Sequence, residues 1–94
     1  MRKLYELEGH DLQRFKKVLA TYPAIIAKSQ ADDNKGYTAM LRGDLRDLTA
    51  VYRHIRDGRY AAALRIADKL DTAVKDEIPT RLFNAVWQAV RTAR

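Results

Sequence analysis

Cysteine is missing from all 94 positions. That excludes a disulfide framework, a thiolate metal site and a thiol nucleophile, and it fits a reducing compartment. Proline and glycine are scarce, at two and four residues. No low-complexity run, linker or internal repeat divides the chain, so a single helical domain over residues 1–94 is expected. Long apolar runs are also missing. Nothing approaches the ~20 apolar residues of a membrane-spanning helix. The opening Met1-Arg2-Lys3-Leu4-Tyr5-Glu6 is charged, unlike a signal peptide. A cytoplasmic protein without a membrane partner is the expectation.

The side chains of catalysis are just as sparse. His10 and His54 are the only histidines and Ser29 is the only serine, placed in the middle of a predicted helix. No nucleophile–base–acid set can be assembled from them, and no glycine-rich phosphate loop occurs. Asp32-Asp33-Asn34-Lys35-Gly36 has the letters of a calcium loop but lacks alternating ligands and a closing glutamate, so it reads as a polar turn. Arg42-Gly43-Asp44 matches an adhesion motif by letter only. The expectation is a non-enzyme with no metal and no cofactor.

What the chain has is helical periodicity. Turn signals fall at Gly9, Tyr22-Pro23, Asp32 to Gly36, Asp57-Gly58 and Ile78-Pro79, and between them apolar residues recur at three and four. The stretch from Leu4 to Leu7 is open between extended and helical. A first helix is expected from an N-cap at Asp11, burying Leu12, Phe15, Val18, Leu19 and Tyr22. Pro23 ends or kinks it and can open a second helix carrying Ile25 and Ile26. A third helix is expected from about Tyr37 to Asp57. Its stripe of Tyr37, Met40, Leu41, Leu45, Leu48, Val51, Tyr52 and Ile55 spans an arc of roughly 140°. Gly58 supplies the stop, and a fourth helix is expected from about Arg59 to Glu77. A last helix, capped by Thr80, presents Leu82, Phe83, Val86, Trp87 and Val90. The predicted fold class is all-α: a small compact bundle of four to five helices, with an antiparallel helical hairpin around Gly58.

Asp44 conflicts with this pattern, because it falls on the apolar arc of the third helix. Either Gly43 breaks the helix and Asp44 caps a new one, or the helix continues and Asp44 points into a partner or pairs with a basic residue. Continuity is preferred. A carboxylate on such a face needs a partner, since an unpaired buried charge is costly.

Eighteen Lys and Arg against twelve Asp and Glu leave a formal charge of +6. Such a balance favours anionic partners without naming one. Arg42, Arg46, Arg53 and Arg56 fall within about 80° of arc on the third helix, away from its apolar stripe. They are candidates for meeting phosphates or an acidic protein surface, set against a solvated face with local pairing to Asp47, Asp57 and neighbours. Trp87, with Arg91 one turn on, is either a packing residue or an exposed anchor of the kind that dominates interfaces. Arg14, Lys16 and Lys17 form a second basic patch, which would serve if the partner were nucleic acid. Interleaved aspartates and the lack of a row of exposed aromatics weigh against nucleic acid.

The run Gly58-Arg59-Tyr60-Ala61-Ala62-Ala63-Leu64, followed by Leu70, resembles half of a tetratricopeptide repeat. The resemblance covers one hairpin and implies a helix stopped by glycine and a second helix packed back on it. No second copy follows, so the likeness is to hairpin geometry. In size and texture the chain also resembles many small phage or mobile-element accessory proteins. The reading is a non-catalytic protein–protein interaction module: an adaptor, chaperone-like factor or inhibitor of a larger complex with an acidic surface. The alternative is a basic protein that binds nucleic-acid backbone without strong sequence specificity. A homodimer is a further option, because the apolar faces are wide.

Overall fold

The computed structural model of the chain describes residues 2–92, with side chains from His10 to Thr92. Five helices occur among them, and no strand: α1 (Arg2–Ala31), α2 (Lys35–Arg56), α3 (Tyr60–Ala67), α4 (Thr72–Lys75) and α5 (Thr80–Thr92). The expected all-α bundle is what forms. None of these helices is long and apolar enough to cross a membrane.

The first two expected helices are one. α1 runs 30 residues with Pro23 inside it. Pro23 removes the N–H that would reach the Leu19 carbonyl, a loss that with the ring clash costs about 3 kcal/mol in a helix interior. Packing on both sides of it offsets that cost. Phe15 and Tyr22 before it are buried, as is Ser29 after it, and Leu19 and Ile26 pack against the core. Asp11 is therefore not a cap. It lies inside α1 and is buried to 2% exposure, with Oδ2 lacking a hydrogen-bond partner among the described residues. Residues 4–7 are helical.

The chain reverses at residues 32–34 through a tight closing turn. Asn34 N–H donates to the Ser29 carbonyl and Asp33 N–H to the Gln30 carbonyl, both at 3.0 Å, with Asp33 at φ +56°. This is the paired-bond ending in which one left-handed residue satisfies the last carbonyls of a helix. Asn34 then caps α2, its Oδ1 accepting from Tyr37 N–H at 3.2 Å. The hydroxyls of Ser29 and Thr38 meet at 2.7 Å between the two helices.

α2 ends the same way. Arg59 N–H donates to the His54 carbonyl at 2.7 Å and Gly58 N–H to the Ile55 carbonyl at 3.1 Å, with Gly58 at φ +80°. The expected hairpin around Gly58 is thus formed by α2 and α3. The long fourth helix, however, breaks after Ala67. Lys69 and Leu70 N–H tighten onto the carbonyls of Ile66 and Ala67, and Asp71 takes an extended conformation. The break lets Ile78 fold back to 2% exposure. Thr80 is the first residue of α5, not its cap. The Pro79 carbonyl accepts the Phe83 N–H at 2.9 Å, which makes Pro79 the flanking position.

α1 packs on α2 and α5, and α3 packs on α2 and α5. Their shared core holds Phe15, Leu48, Val51, Ile55, Ala63, Ala67, Leu82 and Val86. Ala63 and Ala67, each 1% exposed, allow close approach of α3. The fold is elongated, 47 × 23 × 19 Å, because α1 alone extends about 45 Å at 1.5 Å per residue. α3 and α5 are too short to line the whole α1–α2 hairpin. Beyond Tyr22 and Leu41 its tip stands free of them, which corrects the expected core. Tyr37 and Met40 were assigned to the buried stripe, yet they are 44% and 51% exposed, and Ile25 is 41% exposed. The periodicity is right, but no third helix reaches that far.

Two glycine substitutions separate the helix interior from its stop. A Cβ at Gly43 meets nothing within 4 Å, so Gly43→Ala is expected to stabilise by about 0.5–1 kcal/mol. Gly58→Ala places a Cβ at positive φ and is expected to destabilise by about 1–2 kcal/mol. Thermal unfolding followed by circular dichroism reads both.

Candidate functional site

The arginine row lies where helical spacing puts it. Arg42, Arg46, Arg53 and Arg56 are all exposed on α2, on the side opposite Leu48 and Val51. α2 is continuous through Gly43 and Asp44, so the row is not interrupted. Arg46 and Arg53 open into one shallow hollow of about 430 Å³ with Thr49, Ala50, His54 and Arg59. Arg42 lines a separate hollow beside Asn34 and Lys35 at the hairpin turn. His54 and Arg59 were not foreseen as part of this place. The signal was present, because a glycine stop at Gly58 turns the next residue back over the helix end. Arg59 Nε donates to His54 Nδ1 at 2.9 Å.

Counter-charges sit at the edges of the hollow. Arg46 pairs loosely with Asp47 at 3.5 Å, and Asp57 takes Arg56 at 3.0 Å and Arg59 at 3.2 Å. The hydrogen bond from Arg56 holds the Asp57 carboxyl below its ordinary range, and the nearby Arg56 and Arg59 charges add to this. These pairs are exposed, so they contribute little to stability. Arg42 and Arg53 have no ion-pair partner among the described residues. Arg53, His54 and Arg56 also occupy the last turn of α2, where cations oppose the negative end of the helix.

The structure separates Trp87 and Arg91 from this row. Both stand on α5, which packs on α1 and α3. Trp87 is 43% exposed, and the Arg91 guanidinium lies 4.6 Å from its ring centroid. It forms a flat apolar plate with a cation on its face. Tyr52 meets the Phe15 ring edge-on at 5.8 Å. Arg14, Lys16 and Lys17 are all exposed.

A group of carboxylates lies at the other side of α2. Asp44 is partly buried, and its carboxyl is raised above the ordinary value by desolvation and then by repulsion from Asp71, Glu77 and Asp47. Glu77 accepts a hydrogen bond from the Tyr22 hydroxyl, whose own ionisation is pushed up by burial and by that bond. Neither Asp44, Asp71 nor Glu77 has an ion-pair partner among the described residues. No cluster of three or more His, Asp or Glu arranged to hold a metal ion occurs among them. The chain matches no protein-family model, no curated protein and no solved structure, so its own residues carry the functional reading.

Because the Asp44 carboxyl is raised, the folded chain holds that proton more tightly than the unfolded chain does. Its ionised form therefore removes stability as pH rises from the unfolded value through the folded one. Asp44→Asn is expected to be more stable than the parent at neutral pH, by about 0.2–0.5 kcal/mol for each like-charge neighbour relieved. The difference should vanish in acid, where both side chains are neutral. Thermal unfolding across pH checks the sign.

Proposed function

We propose that this chain is a non-catalytic cytoplasmic binding module that docks its α2 arginine row on an acidic surface of a larger protein. It acts there as an adaptor, chaperone-like factor or inhibitor. One observation carries the reading: Arg46 and Arg53 share one exposed hollow with His54 and Arg59, and among the described residues no carboxylate lines it, Asp47 and Asp57 pairing with Arg46 and Arg59 from its edge. Arg42 and Arg56 extend the row at either end. Guanidinium groups bind carboxylates in planar two-bond pairs, and several on one rigid helix favour a fixed register against an acidic patch. Electrostatic complementarity of this kind sets association rate and specificity more than raw affinity.

Nucleic acid is the second reading. It is favoured by the exposure of Arg14, Lys16 and Lys17 on α1, the helix that packs on α2. Capture from native lysate separates the two. Parent chain and an Arg46→Glu/Arg53→Glu variant are compared, with and without nuclease. Under the protein-binding reading, one complex is recovered equally with and without nuclease, and the variant weakens recovery tenfold or more, which is about 1.4 kcal/mol. Recovery that collapses after nuclease supports the nucleic-acid reading, with affinity falling steeply as salt rises. Recovery unchanged in the variant means that the row is solvated surface.

A further inference from the structure

The free tip of the α1–α2 hairpin carries a second surface, distinct from the arginine row in place and in sign. Ile25 follows Val18 by seven residues on α1, and Tyr37 precedes Asp44 by seven and Val51 by fourteen on α2. Seven residues are two helical turns. Tyr37 therefore continues the α2 face of buried Val51 and Ile25 the α1 face of half-buried Val18, and Met40 lies one turn on from Tyr37. Here the three side chains are 41%, 44% and 51% exposed, against 1% for Val51. Tyr37 lies near enough to Tyr22 to act on its hydroxyl. The result is an apolar ledge. Its base is the carboxylate group of Asp44, Asp71 and Glu77, in a chain whose net charge is +6. The ledge is also held in shape, because Ser29, Asn34 and Thr38 bond across the hairpin turn behind it.

A surface of this chemistry fits a flat apolar group that carries a cation. The chain has one on its own surface, Trp87 with Arg91 stacked on it. The guanidinium can keep its stack on the indole while its edge bonds a carboxylate. The contact is not made within one molecule, where Trp87, Ile25, Tyr37 and Met40 are all exposed. Glu77 reaches the Tyr22 hydroxyl beside the ledge, and Trp87 lies ten residues further on, on α5.

We propose that the ledge of Ile25, Tyr37 and Met40, with Asp44, Asp71 and Glu77 at its base, receives Trp87 and Arg91 of a second copy of this chain. Fused apolar contact at the centre and Arg91 against carboxylates at the rim give the arrangement of a small interface anchored by an aromatic residue and an arginine. The two surfaces are different patches of the same molecule. A ledge that is disabled in one copy can therefore be complemented by an intact ledge in another.

That property defines the experiment. The full chain is followed by sedimentation equilibrium from micromolar to millimolar concentration, alongside Met40→Glu, Asp44→Lys and Trp87→Ala. Circular dichroism confirms that each variant keeps its helices. The parent is expected to self-associate, and each variant to associate about 30-fold more weakly or less, the loss expected on removing an interface anchor. An equal mixture of Met40→Glu and Trp87→Ala restores one intact contact, between the ledge of the latter and the tryptophan of the former. It is therefore expected to form a one-to-one pair that neither variant forms alone. A parent that stays monomeric at millimolar concentration overturns the proposal. So do folded variants that associate like the parent, and so does a mixture that remains monomeric.

Discussion

A helix of 30 residues extends about 45 Å at 1.5 Å per residue, and the 22 residues of α2 run back along much of that length. α3 and α5 have 8 and 13 residues. They cover the lower part of the α1–α2 hairpin and leave the rest in water. This mismatch of lengths shapes the whole molecule. Where all the helices overlap, a dry core of Phe15, Leu48, Ile55, Leu82 and Val86 forms. Where they do not, the same helical faces end as the ledge of Ile25, Tyr37 and Met40. The hairpin keeps its shape there through polar bonds at its turn, which compensate for the missing apolar neighbours.

The two ends of α2 are closed by the same backbone device with different residues. Gly58 adopts positive φ at no steric cost, while Asp33 is a residue type that tolerates it. Each closure also places chemistry. At the first, Asn34 both accepts from Tyr37 and sets Ser29 against Thr38. At the second, Arg59 is turned back onto His54 and joins the arginine hollow. Charge is consequently segregated on α2. Arginines occupy the side away from the core, and Asp44 with its neighbouring carboxylates occupies the side toward α4. The molecule thus presents a basic surface and an apolar–acidic one, a division compatible with a module that bridges two partners or two copies.

Much of this was legible in the residues. The three-and-four spacing on α2 located Leu41, Leu48, Val51 and Ile55 correctly, and the arginine row followed from the same arithmetic. The continuity of α2 through Asp44 was also the preferred reading. Other features escaped for physical reasons. Pro23 has the local signature of a helix end, but packing of Tyr22 and Ser29 on either side carries α1 through it. Asp11 has the signature of a cap and instead lies inside the helix. The break after Ala67 depends on Ile78 reaching the core, a tertiary effect that spacing does not encode. Periodicity also marks which face is apolar without marking whether anything covers it. Tyr37 and Met40 were therefore assigned to a core that stops short of them, and the ledge could not be seen before the lengths of α3 and α5 were known.

The α1–α2 hairpin outruns the rest of the bundle. Hydroxyl-radical footprinting of the chain, dilute enough to remain monomeric, measures it directly through side-chain oxidation rates. The account expects Met40, Tyr37 and Trp87 to oxidise rapidly, while Phe15, Tyr22 and Leu82 stay protected. Met40 and Tyr37 protected to the same degree as Phe15 in the monomer would contradict it, because a third helix would then cover the tip and the ledge would not exist.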